Sequence, residues 1–349
     1  MGKALTKHER LNERSDQIEA PEGVTTGSPS LFRPAIFDAL EGKSKILISG
    51  CGGGFDVFAG LPLYFALRHA EVDVFLGNLS FTALRSVKGR RPTELSMEIR
   101  HNTKHSITSN GYFPEYHLCQ WLKNELQDDV VIYAFDRETG AKQLTSSYES
   151  IVKTHSIDAI ILVDGGTDSL MFGDELSLGT PHEDSTSIAA VTAIKNVDTK
   201  LLVCLGFGVD SYHGVCHSHF LENTSSLITD GAFLGATSIL KETKEAQLYI
   251  QAYDYVKSQM MPSIVSSSIS DAIRGCFGNY HSNHRTKGSE LYINPLMGMY
   301  WCYRLEGVAR RMKHIDRLME TESVAEVDNV ITTYRATVET KRQPVQLPM

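Results

Sequence analysis

The segment from Asp164 to Asp184 carries the densest group of side chains in this chain that could do chemistry. Asp164 and Asp168 are followed by the pair Asp174 and Glu175, and then by Asp184. Carboxylates at the end of a strand, with glycines between them, suit a hard cation such as Mg²⁺ or Mn²⁺. The same groups can act as a general base. The sequence predicts Asp164 and Asp168 as catalytic residues, and it predicts as metal ligands Asp168, Asp174, Glu175 and Asp184.

A structural interpretation of part of this segment remains open. Asp174 and Glu175 are typical of exposed loop charges, and Asp184 is a candidate cap for a helix predicted over residues 185–197. Asp164 is different, because it follows four apolar residues and an unpaired buried carboxylate there would be unfavourable. The hydroxyls of Thr167 and Thr180 are predicted to bind phosphate or metal-bound water, although threonine in a glycine-rich turn also serves the turn itself.

A second group surrounds a glycine-rich turn early in the chain. The apolar run 46–48 predicts a buried strand, and residues 57–67 predict a helix after it. Strand, glycine turn and helix together bring backbone N–H groups close to an anion, so we predict ligand binding by Gly52, Gly53, Gly54, Asp56 and Asn78. The alternative is a tight turn that lets the helix pack on the strand. A full G-x-G-x-x-G pattern is absent, and Asn78 follows the second strand where dinucleotide-binding proteins carry an acidic residue.

Two further groups supply histidines and cations. Asp210 and His213 follow a predicted strand, and we predict Asp210 as ligand-binding and His213 as a catalytic, proton-transferring residue. Zinc binding by His213 and His217, and simple packing of these histidines, are the alternatives. Arg285 and Lys287 lie in a short turn and are predicted to bind an anionic ligand. A solvated loop is the competing interpretation.

The elements that must position these groups alternate along the chain. Short apolar runs predict strands at 46–48, 72–76, 130–135, 159–163 and 201–205, with helical patterns between them. This alternation predicts an α/β, Rossmann-like and mostly parallel sheet with helices on both faces. We expect a flexible N-terminal arm (1–30), an α/β core (31–240) and a mostly helical C-terminal part (241–349). Residues 81–110 read as a long loop and 300–320 as a long helix.

Composition narrows the class of protein. The 349 residues are 42% hydrophobic and 22% charged, with a net charge of −8, which is typical of a globular protein and argues against a nucleic-acid partner. No apolar run reaches the roughly 18 residues that a membrane span requires. Six scattered cysteines indicate reduced thiols in a cytoplasmic protein. A homodimer is expected on general grounds alone.

Several phrases together are more specific than any one residue. They are the glycine turn at 52–56, Tyr112-Phe113-Pro114-Glu115, the run from Val163 to Met171, and Gly179-Thr180-Pro181-His182-Glu183-Asp184. With them the chain, over about residues 45–240, resembles the domain-of-unknown-function family 1152. This resemblance implies a Rossmann-like sheet and a shared pocket, and it brings no established activity.

The function that these groups favour is a small-molecule enzyme acting on a phosphorylated or nucleotide-like substrate, as a metal-assisted hydrolase or transferase. Mg²⁺ or Mn²⁺ is the expected cofactor. One alternative is an enzyme that uses S-adenosylmethionine or a dinucleotide on the same turn. Another is a non-catalytic nucleotide sensor, in which the carboxylates only order the loops.

Overall fold

The computed structural model describes residues 33–107 and 111–347, so the predicted arm at 1–30 lies outside the described residues. In these ranges the strands are β1 (Lys45–Gly50), β2 (Asp73–Ser80), β3 (Val87–Lys88), β4 (Ser96–Ile99), β5 (Lys104–His105), β6 (Ile132–Asp136), β7 (Ala159–Asp164), β8 (Thr199–Leu205), β9 (Phe233–Ser238) and β10 (Met299–Arg304). The five predicted strands correspond to β1, β2, β6, β7 and β8, so the pattern of short apolar runs located the centre of the sheet.

The helices of the same ranges surround the sheet. They are α1 (Ala35–Ala39), α2 (Asp56–Ala59), α3 (Leu61–His69), α4 (Pro114–Leu126), α5 (Ala141–His155), α6 (Pro181–Ala193), α7 (His217–Thr229), α8 (Lys244–Gln259), α9 (Ile264–Ile273), α10 (Leu305–Arg311), α11 (Ile315–Leu318) and α12 (Val324–Thr337).

Eight strands form one sheet in the order β4-β6-β2-β1-β7-β8-β10-β9. The five strands from β6 to β8 are mutually parallel. In chain order they read 3-2-1-4-5, which is the Rossmann arrangement. β4 pairs antiparallel with β6, and β10 pairs antiparallel with both β8 and β9. The predicted α/β fold is confirmed, and the strand order reverses between β1 and β7, where such sheets bind their ligands.

Both faces of the sheet are buried, which explains the unbroken apolar runs of its central strands. Side chains alternate between the faces along β1. Ile46 and Ile48 join one core with Trp121 and Tyr249. Leu47 joins the other core, which contains side chains of α5, α6 and α10. The carboxyl end of β1 is therefore held rigidly from two sides.

Two segments differ from their predictions. Residues 81–110, predicted as a loop, contain the short strands β3, β4 and β5, and β4 extends the main sheet. Residues 300–320, predicted as one helix, begin with β10 and continue as α10 and α11. In β10, Tyr300 and Cys302 are buried while Trp301 between them is half-buried. Aromatic residues favour strands, and the helical spacing of later residues concealed that preference.

Helix bounds also moved. The helix predicted over 57–67 divides at Gly60 into α2 and α3, and Pro62 lies in the first turn of α3, where its missing N–H is tolerated. The helix predicted from residue 185 begins at Pro181. Asp184 therefore lies inside the first turn of α6 rather than before the helix.

Candidate functional site

A cavity of about 400 Å³ opens at the carboxyl ends of β1, β7 and β8. Its position agrees with the switch point of the sheet. Nine of the predicted site residues line it, namely Gly52, Gly53, Asp56, Asp164, Thr180, Asp184, Asp210, His213 and Arg285. The glycine turn and the acidic segment therefore meet in one place, as the sequence predicted.

Three carboxylates converge in this cavity. Asp164 ends β7, Asp56 begins α2, and Asp184 lies in the first turn of α6. One oxygen atom from each lies within 4.8 Å of the others. Asp164 and Asp184 are only 2% and 4% exposed, and Asp56 is half-buried. Three elements that are distant in sequence thus bring together the oxygen ligands that a divalent cation uses.

The three carboxylates differ in the hydrogen bonds that they accept. Oδ2 of Asp56 accepts the Gly52 N–H at 2.7 Å. Oδ2 of Asp164 accepts the hydroxyl and the N–H of Ser169, at 2.5 and 3.3 Å. Oδ1 of Asp184 is buried and accepts no hydrogen bond from residues 33–107 and 111–347. A buried carboxylate oxygen without a partner is unfavourable, so this atom points to a group that binds there.

Burial raises the pKa of Asp56, Asp164 and Asp184 well above the ordinary value, because each charge is removed from water. The neighbouring charge of Asp168 raises each of these pKa values further. The pKa of Asp210 is raised by the same two causes. The cavity lining includes five carboxylates and one guanidinium, that of Arg285. Carboxyl groups therefore predominate among the ionisable groups of the lining.

Asp168 and Asp210 hold the loops around the cluster. Oδ2 of Asp168 accepts the N–H and the hydroxyl of Thr180 at 2.8 and 2.9 Å. Oδ2 of Asp210 accepts the N–H and the hydroxyl of Thr167 at 2.7 and 3.3 Å. Both threonine hydroxyls are thus occupied by protein carboxylates. Asp210 and Thr180 line the cavity, whereas Asp168 and Thr167 are buried and are not among the lining residues.

Two glycines make room for the carboxylates. A Cβ atom on Gly52 would lie 2.6 Å from Oδ2 of Asp56 and 2.9 Å from Oδ1 of Asp184. A Cβ atom on Gly166 would lie 2.7 Å from Oδ2 of Asp210 and 3.1 Å from Oδ1 of Asp164. The glycine motifs therefore allow acidic side chains to approach the backbone closely.

The glycine turn is not an open anion cradle. Asp56 takes the N–H of Gly52. Phe81 lies against the turn, since a Cβ atom on Gly53 would be 2.6 Å from its ring. Asn78 lies beneath, where its Nδ2 donates to the Gly54 carbonyl and to Oε1 of Glu115, both at 2.8 Å. Asn78 thus supports the turn from within the protein.

Two predicted residues that lie beside the cavity differ in role. His213 ends a short 3₁₀ helix (Val209–His213), and Gly214 separates it from His217, which begins α7. The two histidines therefore share no helix face, and the zinc alternative loses its geometric basis.

Arg285 donates from Nη1 to the Pro262 carbonyl at 3.0 Å. Its exposed side chain places a positive charge beside the acidic cluster.

Three predicted residues are not brought to this cavity. Asp174 and Glu175 both form ion pairs with Arg342, and Glu175 also accepts the N–H groups of Phe172 and Gly173. We therefore do not retain Asp174 and Glu175 as metal ligands. Lys287 is exposed and is not among the residues that line the cavity.

Sequence reasoning missed the apolar part of the lining. Phe55, Phe81, Tyr112 and residues 261–265 also line the cavity, together with Gly165 and Glu183. A signal existed for two of them, because Phe81 directly follows β2 and Tyr112 begins the phrase that ends with Glu115. Residues 261–263 lie between α8 and α9, and residues 264 and 265 begin α9; no local pattern indicated that they would reach the cavity.

A Rossmann-type sheet with an acidic cavity at its switch point defines the class of this protein. The chain belongs to the family described as protein of unknown function (DUF1152), whose model matches residues 47–343. The match thus extends beyond residue 240, through the C-terminal helices. No curated protein and no solved structure matches the chain. No helix in the described ranges is both long and apolar enough to cross a membrane.

Proposed function

We propose that this protein is a divalent-cation-dependent enzyme that acts on a small phosphorylated or nucleotide-like molecule, as a hydrolase or a transferase. The observation that carries the proposal is the convergence of Asp56, Asp164 and Asp184 within 4.8 Å. Mg²⁺ or Mn²⁺ is the expected cation, because all three ligands are carboxylate oxygens.

Electrostatics supports a cation in two ways. Like charges so close together, and largely removed from water, repel one another strongly unless protons or a cation neutralise them. In addition, Oδ1 of Asp184 has no hydrogen-bond partner in the part of the chain that the structure describes. A divalent ion would neutralise the cluster and would also supply that missing partner.

The same acidity explains why an anionic substrate would need the cation. A bare phosphate would meet the carboxylates of the lining, whereas a metal-bound phosphate meets a compensated site. The cation would then polarise the phosphoryl oxygen or activate a water molecule. Arg285 would bind the remaining negative charge.

The protein's own residues then divide the other roles. Asp56, Asp164 and Asp184 would hold the cation, and Asp168 and Asp210 would fix the surrounding loops through Thr180 and Thr167. Asp210 and His213 reach the cavity and are available for proton transfer. A general base must lie within hydrogen-bond reach of its proton, which both positions allow for a ligand in the cavity.

The experiment is a calorimetric titration of the protein with Mn²⁺ and with Mg²⁺, followed by a turnover screen of nucleotides and sugar phosphates. We expect one cation site, and cation-dependent release or transfer of a phosphate or another substituent. Asp164→Asn should lose cation binding and turnover, whereas Asp198→Asn, an exposed residue outside the cavity lining, should behave as wild type. Wild-type protein that binds neither cation would contradict the proposal.

The strand order favours a second candidate. The 3-2-1-4-5 order is that of proteins that bind dinucleotides at this crevice. S-adenosylmethionine, whose sulfonium is positive, would also suit an acidic cavity. Two observations weigh against both ligands: Asp56 occupies the first amide of the glycine turn, and β2 ends without an acidic residue. Calorimetry with NAD and S-adenosylmethionine, without added metal, tests this candidate.

A further inference from the structure

One wall of the cavity is aromatic. Phe81 and Tyr112 both line it, with ring centroids 6.5 Å apart and ring planes inclined by 32°. Phe55 also lines the cavity and packs edge-on against Tyr112, with ring centroids 6.0 Å apart. The rings therefore form a continuous surface beside the glycine turn.

Phe81 is held in place on one side and open on the other. Its Cε1 and Cζ atoms lie 2.6 Å from the position of a Cβ atom on Gly53, and its Cδ2 lies 3.1 Å from that on Gly54. Atoms from both edges of the ring thus approach the turn, so the turn supports the ring. Even so, 39% of Phe81 is exposed. A large apolar side chain that borders a cavity and stays exposed is typical of a ligand-binding surface.

The remaining apolar lining extends this surface. Met261, Ile264 and Val265 border the same cavity, and Met261 is 57% exposed. A single cavity thus combines a carboxylate cluster with apolar and aromatic walls. Its volume of about 400 Å³ falls within the roughly 300–1,000 Å³ of small-molecule sites. With a cation bound to the carboxylates, a ligand that matches both parts has a planar aromatic ring and a phosphate.

We propose that Phe81, supported by Tyr112, is the stacking surface for the ring of a nucleotide, which makes Phe81 a specificity-determining residue. This inference rests on the proposed function, since the cation held by Asp56, Asp164 and Asp184 would bind the phosphate of the same ligand. Stacking of a base on an aromatic side chain contributes about 1–3 kcal/mol and tolerates every base. The site therefore selects nucleotides over sugar phosphates more strongly than it selects one base over another.

The test compares three probes by calorimetry, namely adenosine, AMP and ribose 5-phosphate, each with and without Mn²⁺. Phe81→Ala should weaken adenosine and AMP binding by roughly 5- to 150-fold, the factor that corresponds to about 1–3 kcal/mol. The affinity for ribose 5-phosphate and for Mn²⁺ should stay unchanged. Phe81→Trp should retain nucleotide binding. Phe277→Ala is the matched control, because Phe277 is 64% exposed and does not line the cavity.

The two proposals fail in different ways. Adenosine carries no phosphate and needs no cation, so adenosine binding that depends on Phe81, in a protein that binds no Mn²⁺, would refute the cation and retain the stacking surface. Mn²⁺ binding without any affinity for adenosine or AMP would overturn the stacking proposal alone. An equal loss of AMP and ribose 5-phosphate in Phe81→Ala would also overturn it, because the ring would then play no part.

Discussion

Single residues of the acidic cluster determine how this protein should respond to cations. Asp184 is the clearest case, because it is 4% exposed and its Oδ1 accepts no hydrogen bond from the described residues. Burial and the charge of Asp168 raise its pKa. An asparagine there keeps the shape of the side chain and removes its charge. The mutual repulsion in the empty site should fall, and the cation should lose a ligand.

We therefore expect Asp184→Asn to abolish stabilisation by Mn²⁺ while the cation-free protein unfolds at the same or a higher temperature than wild type. Thermal unfolding with and without Mn²⁺ measures both effects. Asp198→Asn, which changes the same charge on an exposed residue, should keep the Mn²⁺ response. An Asp184→Asn protein that Mn²⁺ still stabilises as strongly as wild type would show that Asp184 is not a ligand.

The pH dependence of stability follows from the raised pKa values of Asp56, Asp164, Asp184 and Asp210. The folded protein holds these protons more tightly than the unfolded chain, where aspartate has a pKa of about 3.9. Below that pH these groups make their full contribution to the free energy of unfolding. The contribution is lost as the pH rises through the pKa values of the folded state. Cations compete with the protons, so their binding strengthens over the same range.

We expect the free energy of unfolding of Asp184→Asn, relative to wild type, to increase as the pH rises above about 3.9 without divalent cations, because the variant lacks one of these groups. Urea unfolding at several pH values measures the difference, and comparing the two proteins cancels the titration of residues outside the cluster. A difference that is flat, or that falls with rising pH, would mean that the wild-type Asp184 is ionised at no cost.

Whether the role of a single residue could be predicted from the sequence depended on how far along the chain its partner lies. Asp164 could be identified because a carboxylate directly follows an apolar strand, and burial there requires a partner. Asp174 and Glu175 were also predicted as metal ligands, yet Arg342, which pairs with both, lies 168 and 167 residues away. A local pattern cannot reveal such a partner.

At the scale of elements, the turn after β1 brings the carboxylates of α2 and α6 together. A Cβ atom on Gly52 would collide with both Asp56 and Asp184. We expect Gly52→Ala to weaken Mn²⁺ binding by roughly 10- to 100-fold, the range seen when groups that orient metal ligands are changed. Calorimetric titration of Mn²⁺ is the measurement.

The matched control for that substitution is Gly298→Ala. A Cβ atom there would meet only Cγ1 of Ile273, at an ordinary contact distance of 3.4 Å. This variant should bind Mn²⁺ as wild type does. If Gly52→Ala also bound Mn²⁺ normally, the two carboxylates would have room that the structure does not show, and the turn would lose its assigned role.

The prediction of helices and strands succeeded where the local sequence pattern was strong. It failed where pairing with distant segments determines the secondary structure. The central strands are buried on both faces, so their apolar runs were unmistakable. β10 was read as a helix because its strand character depends on pairing with β8 and β9. The four residues of β4 likewise form a strand because they pair with β6.

For the whole molecule, strand order decides where the site lies. Alternating strands and helices predicted a parallel sheet, and ligands of such sheets lie beyond the carboxyl ends of the strands. The order itself, and the insertion of β10 between β8 and β9, depend on pairing between distant segments. The general position of the cavity was therefore predictable, whereas the contribution of residues 261–265 to its lining was not.

The segment after α12 packs against the loop that follows β7, through Arg342. Arg342 exchanges backbone hydrogen bonds with this loop, donating its N–H to the Asp174 carbonyl at 2.8 Å while its own carbonyl accepts the Leu176 N–H at 2.9 Å. Its guanidinium binds Asp174, Glu175 and Glu222. Glu175 is fully buried, so its charge depends on this arginine.

Removing Arg342 should therefore destabilise the whole fold and not only the tail. Loss of one partner of a buried ion pair costs about 3–5 kcal/mol, and we expect Arg342→Ala to fall near the lower end, about 3 kcal/mol, because the arginine is itself partly exposed. Arg311→Ala removes a bidentate ion pair with Asp230 at the surface. It should lower the free energy of unfolding much less. Urea unfolding compares the two variants. Because Glu175 lies outside the cavity, Arg342→Ala should keep its Mn²⁺ affinity while folded, and a parallel loss of both properties would place Glu175 in the site after all.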